Sequence, residues 1–310
     1  MAEAGPMPTL AELHAVDCLG FARFDVKQCK AMVDMVKRTG KLRSDPPKCQ
    51  GQGIVICGGG KYLNWAWCVA KWLRELGCGL PIQVWYLGKD EMPPWAKGLF
   101  AAIDTETVDT LAYLPAHPHR MLGRYVAEKK WTYAGWVAKN YAIERCPFEH
   151  VLFLDADDFP AVNPQELFDH PEVKSVGGMF WSDICNHAKT NWPWVYFGIP
   201  RDRLEWECGQ YFVHKTLGWM GLRWANWAGE HADTLFGMVH GDKTTTELAF
   251  RTSGVPLLVS AENSWQDFGI SQCWRGKEYF RHSMNFKRGE GSAPWPEVQE
   301  LFWEWERLKR

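Results

Sequence analysis

The chain has 310 residues, of which 46% are hydrophobic and 23% charged, with a formal net charge of −2. This composition is typical of a globular protein with a sizeable core and excludes a disordered chain. The near-neutral charge excludes a global positive field that recruits nucleic acid or an anionic membrane. Tryptophan is the exception, with 19 copies. We expect some of them in the core and a few on a surface that stacks on sugar rings.

The ten cysteines contain no C-x-x-C pair, which argues against a zinc ribbon or a thioredoxin-like motif. Cys57 and Cys68 lie in apolar runs, as free buried thiols do. Residues 1–10 lack the pattern of a signal peptide. No window approaches the roughly eighteen apolar residues of a membrane span. These features predict a cytoplasmic protein (host-cell cytoplasm if viral) with no membrane span.

The first 50 residues are predicted to form a helical appendage. Apolar residues recur at helical spacing within residues 24–36, and residues 44–47 then break the chain. The remaining residues, 51–310, are predicted to form the main domain.

Organised alternation of strands and helices begins at Gly53. Residues 54–57 are an apolar strand, and the glycine turn 58–60 follows. Residues 62–76 show one apolar helix face, with Gly77 and Gly79 at its end. A second strand is predicted at 82–87. Such a βαβ unit predicts a parallel sheet.

The predicted elements continue with a helix at 133–145 that leads into the clearest strand of the chain, residues 151–154. That strand is apolar at every position, as expected when helices cover both faces of a parallel sheet. A short helix is predicted at 164–168, short strands at 178–181 and 210–214, and helices at 222–236 and 244–251. From about Gln272 onward no clear period is visible.

An acidic cluster, Asp155, Asp157 and Asp158, directly follows strand 151–154. Ligands bind at the carboxyl edge of open α/β sheets. If the chain stays extended, Asp155 and Asp157 point the same way. Paired carboxylates suit Mn²⁺ or Mg²⁺, which keeps positions open for substrate phosphates. The alternative is that these carboxylates cap the next helix.

A basic stretch between the second predicted strand and the acidic cluster also has two interpretations. It is either a solvated helix face or a contact surface for phosphate or acceptor. Its members are His119, Arg120, Arg124, Lys129 and Lys130.

From Gly53 to about Lys287 the chain resembles the fungal-type α-mannosyltransferases, Golgi enzymes with a GT-A fold. The residues that carry the resemblance occur in order as separate blocks. They are Gly53-Ile-Val-Ile-Cys-Gly-Gly-Gly, Leu73-Arg74, Leu80-Pro81-Ile82, Lys139, Phe148-Glu149, Leu152-Phe-Leu-Asp-Ala-Asp157, Pro160, Pro164, Leu167-Phe168, Gly178, Phe180-Trp181, Asp183, Glu207-Cys-Gly-Gln210, Gly241-Asp-Lys243, His282 and Lys287.

The resemblance implies a GT-A-type mixed, mainly parallel α/β fold and a metal-dependent, retaining transfer of a hexose from a nucleotide sugar. Retention by front-side attack and retention through a carboxylate nucleophile both remain open. It implies Asp155, Asp157 and His282 as metal ligands, and Lys287 as the positive charge at the β-phosphate. Donor contacts are then expected from Cys57, Gly58, Gly59, Lys139 and Asp155. Residues expected to face the sugar are Asp183, Glu207, Gln210 and Asp242.

The sequence departs from the family at three points. Asp158 stands where the family usually has Asn, and Cys208 where it has Ser. The fungal enzymes carry an N-terminal membrane anchor that is not visible here, so a cytosolic acceptor is expected.

Several functions remain open at this stage. The leading expectation is transfer of mannose or glucose from GDP-mannose or UDP-glucose to a hydroxyl acceptor, which is a glycan or a glycolipid. The second is glycosylation of a hydroxymethylated base of viral DNA, which the net charge does not favour. An inactive sugar- or nucleotide-sugar-binding protein is a third, and phosphatase or nuclease activity at the acidic cluster a fourth.

Overall fold

The computed structural model describes residues 42–128, 133–186, 204–236 and 241–309, together with Asp34 and Gly40. The predicted helix at 24–36 lies outside the described residues except for Asp34. Lys129 and Lys130 of the basic stretch also lie outside them. The predicted division into an appendage, 1–50, and a main domain stays a prediction.

The strands form two sheets. In chain order the strands are β1 (Gln52–Cys57), β2 (Ile82–Tyr86), β3 (Thr105–Asp109), β4 (His150–Asp155), β5 (Asp158–Pro160), β6 (Gly178–Asn186), β7 (Leu204–His214), β8 (Leu257–Ser260), β9 (Asn263–Gln266), β10 (Gly269–Trp274) and β11 (Lys277–His282).

Helices cover these sheets. They are α1 (Leu63–Glu75), α2 (Pro94–Ala101), α3 (Arg120–Glu128), α4 (Ala134–Arg145), α5 (Gln165–Asp169), α6 (Pro171–Lys174), α7 (Lys215–Glu230), α8 (Ala232–Leu235), α9 (Gly241–Ser253), α10 (Met284–Arg288) and α11 (Pro296–Leu308). Short 3₁₀ turns occupy Gly60–Tyr62 and Thr110–Tyr113.

The larger sheet of the described residues has seven strands in the order β3-β2-β1-β4-β7-β6-β8. β3, β2, β1 and β4 run parallel, and β6 and β8 are parallel to each other. β7 lies between β4 and β6 and is antiparallel to both. The predicted α/β class with a mixed, mainly parallel sheet is therefore confirmed.

Alternate residues of β1 and β4 are buried in two core clusters on opposite faces of the sheet. Ile54, Ile56, Leu152 and Leu154 join the cluster built around α1. Val55, Val151 and Phe153 join the cluster under α4 and α7. The apolar run 151–154 within β4 follows from this double burial, as predicted.

The smaller sheet folds over the carboxyl edge of the larger one. It has the order β5-β11-β10-β9, all antiparallel. Trp181 of β6 donates a hydrogen bond to the carbonyl of Cys273, which ties the two sheets together.

Two predictions of local structure are wrong, and a region without a visible period is ordered. The helix expected at 222–236 begins at Lys215, ends at Glu230 and is followed by the separate α8. The region after Gln272 is ordered as β10, β11, α10 and α11. The chain does not stay extended after Asp155, because Ala156 and Asp157 form a turn between β4 and β5.

No helix among the described residues is long and apolar enough to cross a membrane.

Candidate functional site

The acidic cluster lies where β1 and β4 end side by side. Cys57 and Asp155 are the last paired residues of these two strands. The turn at 156–157 then reverses the chain into β5, whose partner β11 places His282 opposite Asp158. The backbone N–H of Ser283 also donates to the carbonyl of Asp157, at 2.8 Å. A strand more than one hundred residues later in the sequence thus completes the cluster.

Asp155, Asp157 and His282 each offer one ligand atom, and these atoms lie within 4.8 Å of one another. Two ligands on opposite sides of an ion with bonds of about 2.1 Å lie roughly 4.2 Å apart. A small closure therefore brings the three atoms into one coordination sphere. Two carboxylates and an imidazole suit Mn²⁺, while the carboxylates alone suit Mg²⁺. The three predicted ligands fit a divalent ion.

Two cations approach the same oxygen of Asp157. Its Oδ2 lies 2.5 Å from Lys287 Nζ and 3.4 Å from His282 Nε2. Burial would raise the pKa of the carboxyl, but these partners hold it well below its usual range. Burial likewise opposes charge on His282, yet Asp157 and Glu207 raise its pKa well above the usual value. Because a bound metal replaces a proton at imidazole, a divalent ion and this proton compete.

Glu207 holds the other side of His282. A bulge separates the pairs Phe180–Tyr211 and Trp181–Glu207, so residues 208–210 of β7 have no partner on β6. Glu207 Oε1 accepts the backbone N–H groups of Cys208 and Gly209 at 3.0 and 3.1 Å and lies 3.4 Å from His282 Nδ1. His282 and Lys243 lower the pKa of Glu207 to about 2, although burial opposes this. Glu207 therefore orients the imidazole.

Lys139 links two of the predicted site carboxylates. From α4, its Nζ lies 2.9 Å from Asp155 Oδ2 and 3.0 Å from Asp242 Oδ2. Asp242 stands in the first turn of α9. Although burial favours the neutral amine, the two carboxylates raise the pKa of Lys139 well above its usual value. Its charge fixes the position of both carboxylates.

Asp183 lies further along the edge, on β6, and pairs with Lys243. The distance from Lys243 Nζ to Asp183 Oδ2 is 2.6 Å, and Glu205 Oε2 lies 2.8 Å from the same ammonium. Lys243 was not predicted as a site residue, although the block Gly241-Asp-Lys243 places it directly after Asp242.

Some polar atoms of the site have no hydrogen-bond partner. Both side-chain amide atoms of Gln210 lack one among the described residues, as do both carboxylate oxygens of Asp158. Gln210 is opposite Leu154, next to Asp155, and neither side chain is exposed. Because unpaired buried polar groups are costly, their retention is typical of a site that a ligand completes. Asp158 was not predicted as a site residue, because a strict period of two places its side chain on the face opposite Asp155 and Asp157.

The glycines predicted to admit the nucleotide are required by packing. A Cβ at Gly58 would lie 2.6 Å from the Cβ of Ala66, and one at Gly59 would lie 2.9 Å from that of Tyr86. Gly60 adopts φ of +55°, which glycine does at little cost. Cys57 is half-buried beside Asp155, where burial and that carboxylate raise the pKa of its thiol. These contacts explain the glycines without a ligand.

The structure decides two questions that the sequence left open, namely whether the aspartates cap the next helix and what the basic stretch contacts. Asp155 and Asp157 do not cap the next helix, because Asn163 Oδ1 accepts the first backbone N–H of α5. The described part of the basic stretch is an ion-paired helix face. Arg120 contacts Asp233 at 2.6 Å, and Arg124 contacts Glu128 at 2.7 Å, while His119 is buried.

A mannosyltransferase family model matches residues 51–198. Over 174 residues the chain is 29% identical to the alpha-1,2-mannosyltransferase MNN2 of Saccharomyces cerevisiae, which covers 54% of this chain and 26% of that protein. Over 146 residues it is 32% identical to the alpha-1,2-mannosyltransferase MNN21 of Candida albicans, covering 46% and 21%. The chain thus matches about a quarter of the length of these relatives. The predicted resemblance to the fungal-type α-mannosyltransferases is therefore confirmed over residues 51–198.

Among solved structures, the galactosyltransferase LgtC in complex with donor and acceptor sugar analogues is similar over 67% of this chain and 73% of that one. The identity is 12% and the TM-score 0.44. The bifunctional glycosyltransferase WbbM matches over 71% of this chain and 40% of its own, with 11% identity and a TM-score of 0.48.

Proposed function

We propose that this protein is a metal-dependent glycosyltransferase that moves a hexose from a nucleotide sugar to a hydroxyl acceptor. The observation that carries the proposal is the convergence of Asp155, Asp157 and His282 within 4.8 Å at the carboxyl edge of the sheet. Ligands bind at this edge in open α/β folds. The match of residues 51–198 to a mannosyltransferase family model supports the same reaction.

Mn²⁺, or Mg²⁺ in its place, would be held by Asp155, Asp157 and His282. When bound, the ion neutralises the diphosphate of the donor and so stabilises the leaving group. Lys287 contacts the carboxylate of Asp157 and supplies a second positive charge to the departing phosphate. Glu207 holds His282 through its imidazole and keeps the third ligand in place. Lys139 keeps Asp155 oriented.

The charged partners of the site favour retention of configuration by attack of the acceptor on the face that the diphosphate leaves. Asp155 and Asp242 are paired with Lys139, and Asp183 with Lys243. None of these described carboxylates is free to attack the anomeric carbon. The C–O bond to the diphosphate then breaks, the acceptor oxygen bonds to that carbon, and its proton passes to the leaving phosphate oxygen.

Gln210 is the polar side chain that we place at the transferred sugar. Its amide atoms have no partner among the described residues, and it lies beside the end of β4. An amide can donate to and accept from sugar hydroxyls at the same time. The match to this family makes GDP-mannose the preferred donor and UDP-glucose the alternative. A glycan hydroxyl is the preferred acceptor, and a modified DNA base has no support in the comparisons. The cytoplasmic location stays a prediction.

A turnover and thermal-shift screen of nucleotide sugars, each with Mn²⁺ and with chelator, tests the proposal. We expect one donor to stabilise the protein only with metal and to release its nucleoside diphosphate. If no donor gives a metal-dependent response, the protein is a binding protein or acts on another substrate.

The Asp157→Asn variant tests the ligand assignment. It removes one negative charge at unchanged shape, and we expect turnover to fall by at least about 100-fold. Asp169→Asn is the matched control, because Asp169 is an exposed carboxylate paired with Lys174. Full metal-dependent turnover by Asp157→Asn, with Asp169→Asn unchanged, would contradict the assignment.

A further inference from the structure

The order of side chains along the edge of the larger sheet gives the site a direction. β1 ends at Cys57, and β4 ends beside it at Asp155. β7 follows with Gln210, opposite Leu154. β6 comes next and carries Asp183. Moving away from β1, one therefore passes the metal ligands, then the amide placed at the transferred sugar, then Asp183.

β9 continues this order beyond Asp183. The side chain of Asn263 donates to the carbonyls of Ser182 and Asp183, at 2.9 and 3.2 Å. These bonds fix β9 against the end of β6. β9 therefore borders the site at the end away from β1. The nucleotide is expected at the β1 end.

The smaller sheet leads to the same place by an independent path. Asp158 pairs with His282, His282 with Ile270, and Ile270 with Trp265. Directly opposed residues of antiparallel strands project to one face. Trp265 thus shares a face and a row with His282. Two interstrand steps of about 4.8 Å put β9 roughly 10 Å from β11.

Trp265 is the exposed end of this row. Asp158 and Ile270 are fully buried and His282 is 5% exposed, whereas the Trp265 side chain is 50% exposed on the edge strand. An exposed tryptophan ring offers a large flat apolar surface to a ligand. A flat apolar face beside a carboxylate matches the C–H face and hydroxyl rim of a pyranose.

We propose that Trp265 is the platform of an acceptor subsite that binds a pyranose ring, with Asp183 accepting hydrogen bonds from its hydroxyls. The proposal rests on the proposed function, since it supplies the acceptor of that reaction. The nucleotide is expected at the β1 end of the edge, so the rest of the acceptor must extend from the anomeric carbon toward β9. Its attacking hydroxyl still approaches on the face that the diphosphate leaves. The substrate class is therefore a glycoside that presents a sugar hydroxyl.

Direct binding tests the subsite separately from turnover. Methyl α-mannopyranoside and an α-linked mannose disaccharide are titrated calorimetrically into protein that holds Mn²⁺ and the nucleoside diphosphate. Trp265→Ala is expected to weaken binding about fivefold to tenfold, the range of one lost aromatic contact. Trp265→Tyr keeps a flat ring and should bind within about twofold of wild type. Trp265→Leu fills the site without a ring and should bind as weakly as Trp265→Ala.

Trp303→Ala is the matched control, because Trp303 is 58% exposed on α11, a helix outside the site. It should bind the glycosides like wild type. Equal affinities of Trp265→Leu and wild type, or equal losses in Trp303→Ala and Trp265→Ala, would overturn the subsite. Circular dichroism and binding of the nucleoside diphosphate check that each variant is folded.

Failure of the subsite is distinguishable from failure of the proposed function. If wild type transfers sugar and Trp265→Leu keeps the acceptor KM of wild type, the subsite is wrong and the transferase function stands. If wild type transfers from no donor yet binds the glycosides through Trp265, the function is wrong and the subsite stands.

Discussion

Lys287 is expected to weaken metal binding and to strengthen donor binding, so one substitution should move the two affinities in opposite directions. Its ammonium lies 2.5 Å from Asp157 Oδ2, the oxygen that also faces His282. The lysine side chain is 29% exposed and the aspartate 5%. An ion that enters must displace this ammonium from the carboxylate.

The size of the effect follows from the partial burial of the pair. Exposed pairs contribute at most about 1 kcal/mol, and loss of one partner of a buried pair costs about 3–5 kcal/mol. An intermediate value of about 1–2 kcal/mol predicts that Lys287→Met binds Mn²⁺ roughly 5- to 30-fold more tightly without donor. The lost charge-assisted contact to phosphate, about 1.5–3 kcal/mol, predicts roughly ten- to hundredfold weaker donor binding at saturating Mn²⁺.

Calorimetric titration with Mn²⁺ and then with the nucleotide sugar measures both affinities. Lys277→Met is the matched control, because it removes the same charge from an exposed pair with Glu166. Unchanged or weaker Mn²⁺ binding by Lys287→Met would refute the competition between the ammonium and the ion.

Three further predictions concern stability. Phe180→Ala should lower the free energy of unfolding measured in urea by about 3–5 kcal/mol, because the ring is fully buried between Trp206 and Tyr211. A decrease of less than about 1 kcal/mol would contradict this packing. Gly58→Ala should lower Tm without any nucleotide, since the new methyl would meet Ala66 at 2.6 Å; an unchanged Tm would reassign this glycine to the ligand. Burial lowers the pKa of His119 to about 4. Folded His119 therefore stays neutral while the unfolded chain binds a proton. The free energy of unfolding should fall by up to about 3 kcal/mol between pH 6.5 and pH 4. His119→Gln should reduce this dependence on pH.

The sequence predicts well where one local pattern decides the structure. Residues 151–154 of β4 are all apolar because both faces of the strand are covered, and α1 shows one apolar face because it lies on the sheet. α11 follows the same rule, with Val298, Leu301 and Trp305 buried at helical spacing. It was missed because Phe302 and the exposed Trp303 add apolar residues on its other faces.

The site itself depends on contacts that no local pattern contains. His282 reaches the carboxylates through the pairing of β5 with β11, and a resemblance to a family, rather than periodicity, predicted it. The bulge of β7 that positions Glu207 has no sequence signal that we recognise. Some tryptophans lie in the core as expected, Trp67 and Trp206 among them, whereas Trp265 and Trp303 are exposed. Strand register and the hydrogen bonds of Asn263, rather than a local pattern, place Trp265 at the proposed subsite.

The charge balance of the site implies an order of binding. Its described ion-paired carboxylates are Asp155, Asp157, Asp183, Glu205, Glu207 and Asp242, against the ammonium groups of Lys139, Lys243 and Lys287. His282 adds at most one positive charge. A nucleotide sugar would bring its anionic diphosphate into this excess of negative charge, which repels it. A divalent cation reverses the local balance, so we expect metal to bind before the donor and donor affinity to be lost when metal is removed.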